Sequence, residues 1–226
     1  PIMLPFLPIY LEDGSYNAPL DRFPGQSPYN TIQVADVNTQ RAKTHNLIGN
    51  LRLTYDIMPN LTLNSRVGLN YRLLHTELYN DPRTAYAHTF GGLKQFRMQP
   101  TTTFTTSHTL VYDKSLRGGH NLNTLLGVEY RGYHLYRAGA SSEGFPSYDF
   151  RYLSSAAIIR DAYESILGNK RAGAFGQVNY NYMKKYMFSA VLRYDGSSRF
   201  GADNRYGWFP SFSVGWDASQ EPFLRS

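Results

Sequence analysis

The 226-residue chain contains no cysteine. That excludes a disulfide framework and any thiolate metal site. It suits a protein that must stay unlinked in an oxidising compartment. Long apolar runs are also missing: no stretch approaches the ~20 consecutive apolar residues of a membrane helix, and the mean hydropathy is negative. A β-barrel escapes this exclusion, because its strands alternate apolar and polar residues and so hide their hydrophobicity from averaging. Catalytic signatures are absent too. There is no G-x-S-x-G elbow, no H-E-x-x-H, no phosphate loop and no G-x-G-x-x-G. The six histidines are scattered without ligand spacing. Glu129 and Asp195 pair as a glycosidase dyad no better than any other two carboxylates. No enzyme activity, cofactor or metal is expected. Charged residues make up only 18% of the chain, and the net charge of +6 comes from 23 Lys and Arg against 17 Asp and Glu. The basic residues are spread along the chain, unlike the clustered footprint of a nucleic-acid binder. Pro1-Ile2-Met3-Leu4-Pro5 lacks a basic leader and a cleavage site, so the chain reads as an internal piece of something longer.

What the chain does have is aromatic residues, 19 Tyr and 13 Phe, and a period of two. Leu47, Leu51, Leu53, Tyr55 and Ile57 alternate with Asn50, Arg52, Thr54 and Asp56. After Met58-Pro59-Asn60 the alternation resumes, with Leu61, Leu63, Val67, Leu69 and Tyr71 against Asn64, Arg66, Asn70 and Arg72. Strands are expected over 44–57, 61–74, 101–113, 120–134, 171–182, 186–195 and 206–218. Residues 1–42 read as loop, with turn chemistry at Glu12-Asp13-Gly14-Ser15 and Phe23-Pro24-Gly25. The 135–170 connection carries some helical character over 158–167.

The connections alternate in length. They run short, 24 residues, six, 36, three and ten. Outer-membrane barrels do this, with short periplasmic turns and long extracellular loops. Seven strands form an odd set, too few to close alone. The expected fold is therefore all-β: an antiparallel up-and-down transmembrane β-barrel, of which this chain supplies about seven strands.

From Tyr180 onward the residues carry a denser pattern. Tyr180-Asn181-Tyr182 and Lys185-Tyr186 precede the run from Arg193-Tyr194-Asp195-Gly196-Ser197-Ser198 to Arg199-Phe200-Gly201. Tyr206-Gly207-Trp208-Phe209-Pro210-Ser211, Gly215-Trp216 and Glu221-Pro222-Phe223 follow. This ordered series resembles the barrel of SusC/RagA-type TonB-linked outer-membrane transporters of Bacteroidetes. Pro8-Ile9-Tyr10, Asp13-Gly14-Ser15-Tyr16, Gly144-Phe145-Pro146 and Tyr152-Leu153 extend the likeness more weakly. Tyr194 departs from it, a polar residue being common there. The resemblance implies a barrel of about 22 strands with a plugged lumen. It also implies a TonB-interaction segment, a SusD-like lipoprotein lid, and import of oligosaccharide or peptide cargo. No plug is recognisable in the chain.

Strand parity assigns side chains to faces. Tyr180, Tyr182, Tyr186, Phe188, Tyr194, Trp208 and Trp216 share one face and read as a lipid-facing girdle. Asn50, Arg52, Arg66, Arg72, Glu129, Arg131, Gln177, Asn179 and Arg193 share the other and are candidate lumen-lining residues, placed either along a solute path or against a plug. Asp195-Gly196-Ser197-Ser198 is expected to form an Asx-type turn, with contact to substrate or lid as the competing role. Arg193 and Arg199 are candidates for an ion-pair network with Asp195. Arg199, Phe200, Phe209, Pro210 and Trp216 complete the structural motif. Tyr148, Phe150 and Tyr152, in a long connection, are the candidate ligand contacts. The sequence leaves two rivals to import: an adhesive or structural outer-membrane barrel, and a soluble β-rich binding protein.

Overall fold

A computed structural model of the chain describes residues 8–18 and 30–223. Its principal elements are one short helix, α1 (Thr31–Val37), and seven strands: β1 (Thr39–Met58), β2 (Leu61–Asn80), β3 (Leu93–Ser115), β4 (His120–Glu143), β5 (Ile158–Tyr182), β6 (Tyr186–Ser197) and β7 (Tyr206–Trp216). They form one sheet in the order β1-β2-β3-β4-β5-β6-β7, each strand beside its sequence neighbour. No pairing of β1 with β7 closes it among the described residues. Among the described residues no helix is long and apolar enough to cross a membrane.

Five of the strands are 20 to 25 residues long, against the ~9–11 that a tilted strand needs to cross a bilayer. They run beyond the ends expected from periodicity. The segment 158–167, read from the sequence as partly helical, is the start of β5. A strand in the middle of a sheet takes its conformation from its neighbours' hydrogen bonds, and this overrides weak local preference. Residues 31–42, read as loop, hold α1 and the start of β1. Conversely β7 stops at Trp216, and Ala218–Gln220 turns as a short 3₁₀ segment. Glu12-Asp13-Gly14-Ser15 is a turn in which Asp13 accepts hydrogen bonds from the Ser15 amide and hydroxyl. Phe23-Pro24-Gly25 lies outside the described residues.

The chain divides into two compact units. The first comprises Pro1–Asn46, Arg72–Pro100 and Leu135–Ile166 and holds nearly all the buried side chains. Its centre is Asp81, fully buried. The Arg83 guanidinium donates to both carboxylate oxygens at 2.8 and 2.9 Å, and Arg151 lies 3.7 Å away. Arg151 also covers the ring of buried Tyr79, which meets Phe145 edge-on. Asn30 caps α1 by accepting from the Ile32 and Gln33 amides, and Gln33 donates to the Arg83 carbonyl. Backbone bonds from Gly144 to Phe90 and from Phe145 to Gly91 tie the two longer connections together.

The second unit comprises Leu47–Tyr71, Thr101–His134 and Leu167–Ser226 and contains the short turns that join β1 to β2, β3 to β4 and β5 to β6. Its two faces differ as parity requires. On one, Val214 is 85% exposed and Phe212 72%, too apolar a surface to face water. On the same face Tyr194 stacks on Tyr206 at 5.4 Å and meets the Trp208 ring at a tilt at 4.6 Å. His120, Tyr182 and Tyr186 form a second aromatic group there. β5 and β6 pair antiparallel from Arg171↔Ser197 to Tyr182↔Tyr186, and β6 and β7 from Tyr186↔Trp216 to Gly196↔Tyr206. The β5–β6 turn places Met183 and Lys184 at φ of 52° and 57°. Positive φ at two consecutive residues is unfavourable for Met and Lys and is adopted more readily by Asn and Gly.

After β7 the chain returns so that Glu221 sits under the aromatic face. Its carboxylate accepts from the Tyr186 hydroxyl at 2.6 Å, the Lys185 ammonium at 3.0 Å and the Trp216 indole at 3.3 Å. The Tyr186 hydroxyl, then Lys185, hold the Glu221 carboxyl below the usual carboxylate range.

Two outcomes follow for the complete barrel protein in detergent. Replacing Met183-Lys184 by Asn-Gly relieves the left-handed strain and stabilises the hairpin by about 1 kcal/mol, read as a higher unfolding midpoint in denaturant. Glu221→Gln lowers the melting temperature at neutral pH. Because the folded carboxyl titrates below its ordinary 4.5, its contribution is complete above that value and is lost as the pH falls through the lower one. The gap between wild type and variant therefore closes in acid. A gap independent of pH would show that the ionised carboxylate is not the stabilising species.

Candidate functional site

On the polar face of the second unit, β2 to β7 and the loop after β6 enclose a recess of about 730 Å³. Arg193 stands at its centre. Its guanidinium donates to both Asp195 oxygens at 3.0 Å and to Glu129, and lies 4.8 Å from the centre of the Phe175 ring. The sheet places these groups together by register: Phe175 pairs with Arg193, and Gly173 with Asp195. Gly173 leaves room there, because a Cβ at that position would displace the Asp195 carboxylate. Arg66, Arg131, Arg171 and Arg205 line the same recess, with Phe200 and Phe209.

The Asx turn expected at Asp195-Gly196-Ser197-Ser198 does not form. Asp195, Gly196 and Ser197 are still in β6, paired across to Gly207, Tyr206 and Arg171. Asp195 gives its carboxylate to Arg193 instead of to following amides. Gly196 serves a close approach, since the Tyr206 ring lies where a Cβ would be. The turn itself belongs to the serines: Ser197 Oγ accepts from the Arg199 amide at 3.3 Å, and Ser198 Oγ from the Lys170 amide at 2.8 Å. Arg199 makes no ion pair among the described residues; the third member of the network is Glu129, a second carboxylate on Arg193. The cross-strand partner was out of reach of local reading because 64 residues separate it from Arg193.

The other lumen candidates divide among separate places. Gln177 and Asn179 join Asn123 and Ser189 in an amide ladder, with Asn179 accepting from Gln177 and Ser189 and donating to Asn123. Asn50 and Arg52 border a smaller recess with Arg66. Arg72 belongs to the first unit. Pro210 pairs with Leu192 in β7, and Trp216 donates to Glu221. Arg171 and Arg205 were missed. Arg171 lies inside the strand expected over 171–182 and carries the parity of Gln177 and Asn179, so that rule places it on the polar face.

In the first unit the three loop aromatics differ. Tyr148 lies under the Arg83 guanidinium at 4.2 Å, and Tyr152 has Lys94 6.0 Å above its ring. Phe150 and Tyr152 are the more open, at 56% and 73% exposure. Among the described residues no cluster of His, Asp or Glu has the makings of a metal site.

Comparison with known proteins agrees with this geometry. The family model described as "TonB dependent receptor-like, beta-barrel" matches residues 7–224. TonB-dependent receptor P3 of Formosa agariphila is 28% identical over 98% of this chain and 22% of its own length. TonB-dependent receptor SusC of Bacteroides thetaiotaomicron is 28% identical over 88% of this chain and 20% of its own. Among solved structures, the RagAB peptide transporter superposes with a TM-score of 0.80 at 26% identity, over 85% of this chain and 22% of that one. The chain thus spans about a fifth of the length of these relatives. They are receptors and transporters rather than enzymes, and they reside in the outer membrane. The chain belongs to the TonB-dependent receptor β-barrel family.

Proposed function

We propose that this chain forms part of the barrel wall of a TonB-dependent importer. The importer takes oligosaccharide or peptide nutrients from a SusD-like surface lipoprotein and passes them through the lumen when a plug moves. The observation that carries the reading is the recess on the lumen face, where Arg193, Glu129 and Asp195 hold a built polar wall in a sheet of this family. The likeness to the RagAB peptide transporter and to SusC supports the importer reading over an adhesive barrel. Phe150 and Tyr152 are the loop residues open to contact with the lipoprotein or its cargo, and Tyr148 is engaged by Arg83.

The test is uptake of labelled oligosaccharide or peptide by cells carrying the complete protein. Uptake is expected to vanish in cells lacking TonB. Equal uptake with and without TonB would rule the importer out.

A further inference from the structure

The recess described above is strongly unbalanced in charge. Five arginines line it against two carboxylates, Glu129 and Asp195, a surplus of three positive charges. Both carboxylates are bound to Arg193. Arg66, Arg131 and Arg171 make no ion pair among the described residues, and all three are exposed to the recess. Like charges gathered on one wall without partners repel one another, and a ligand of opposite sign relieves that repulsion.

We propose that this recess binds acidic peptides, with the forks of Arg131 and Arg171 receiving carboxylates of the cargo. The proposal rests on the import reading and names the substrate class for the same site. Guanidinium forks match carboxylates in a planar two-bond geometry that ammonium groups do not reproduce. The volume of about 730 Å³ lies within the ~300–1,000 Å³ usual for ligand pockets. Phe200 and Phe209, at 61% and 56% exposure, present apolar surface to side-chain stems. The mixed signs of the wall favour a peptide over a polyanionic glycan. Glu129 and Asp195 are acceptors with spare lone pairs; a peptide brings amide N–H groups and an ammonium to them, whereas a chain of sulfates or uronates brings repulsion.

The experiment uses the complete protein in detergent and two fluorescent probes: a glutamate-rich pentapeptide and its glutamine counterpart. The glutamate peptide is expected to bind about tenfold more tightly at low salt, an advantage that shrinks as salt rises. Arg131→Gln combined with Arg171→Gln removes the advantage, and an unchanged melting temperature in detergent shows that the variant is folded. Arg131→Lys with Arg171→Lys restores only part of it. Should the double glutamine variant fail to assemble, Arg131→Gln alone carries the test, with a loss of about threefold. Equal affinity for the two probes would overturn the proposal, as would an advantage that survives the double variant. A plug segment seated in the recess gives the first result. Tighter binding of a sulfated oligosaccharide than of the glutamate peptide also overturns it. Uptake of the two peptides by cells separates this failure from that of the import reading. Import of both without preference sinks the acidic-peptide site alone, and import of neither sinks the peptide-import reading as well.

Discussion

A strand that crosses hydrocarbon must pass every backbone N–H and C=O to a neighbouring strand, since nothing else is there to receive them. The rest of this molecule depends on that pairing. It arranges seven strands in sequence order, because only adjacent antiparallel strands can be joined by turns as short as Met183-Lys184. It also makes side-chain parity rigid: once the Tyr182↔Tyr186 and Tyr186↔Trp216 pairs are set, each odd residue of β5, β6 and β7 points to one face and each even residue to the other. A slip of one residue would carry Arg193 to the aromatic face and Tyr194 to the polar one, at a cost no local contact repays.

The same register builds the charged recess. Arg193, Asp195, Glu129 and Phe175 come from three strands, and each has an ordinary strand conformation. What makes them a group is that β4, β5 and β6 are neighbours with Phe175 opposite Arg193. The two carboxylates fix one arginine, so the excess of positive charge rests with arginines on adjoining strands. Glycine enters as a means of close approach: Gly173 leaves room for the Asp195 carboxylate, and Gly196 for the Tyr206 ring on the opposite face. The first unit follows a different rule. There a fully buried carboxylate, Asp81, orders two connections through Arg83 and Arg151, as expected where loops lack a regular ladder to satisfy them.

Much of this was legible in the residues because period two is a local property. Leu51, Leu53 and Tyr55 against Asn50, Arg52 and Thr54 announce a strand and its two faces without reference to any partner. The errors have one origin. Alternation weakens at 158–167 and marks a strand end there, but a central strand continues as long as its neighbours offer hydrogen bonds. Asp195-Gly196 has the composition of a turn, and a turn was expected; an arginine two residues away and the pairing to β5 and β7 kept it in the strand. The failure at Arg199 is similar, since the group that completes the network, Glu129, is near only in space.

The amino-acid sequence by itself determined the class of the protein, the number of strands and the face on which each side chain falls, because alternation and turn chemistry act over a few residues. Only the tertiary structure decided which of those side chains meet. The dense run from Arg193 to Gly201 marks the family in the sequence. In the fold its Asp195-Gly196 portion is wall rather than rim, and the reason is physical: cross-strand register brings Glu129, Phe175 and Arg193 into one recess from distant parts of the chain.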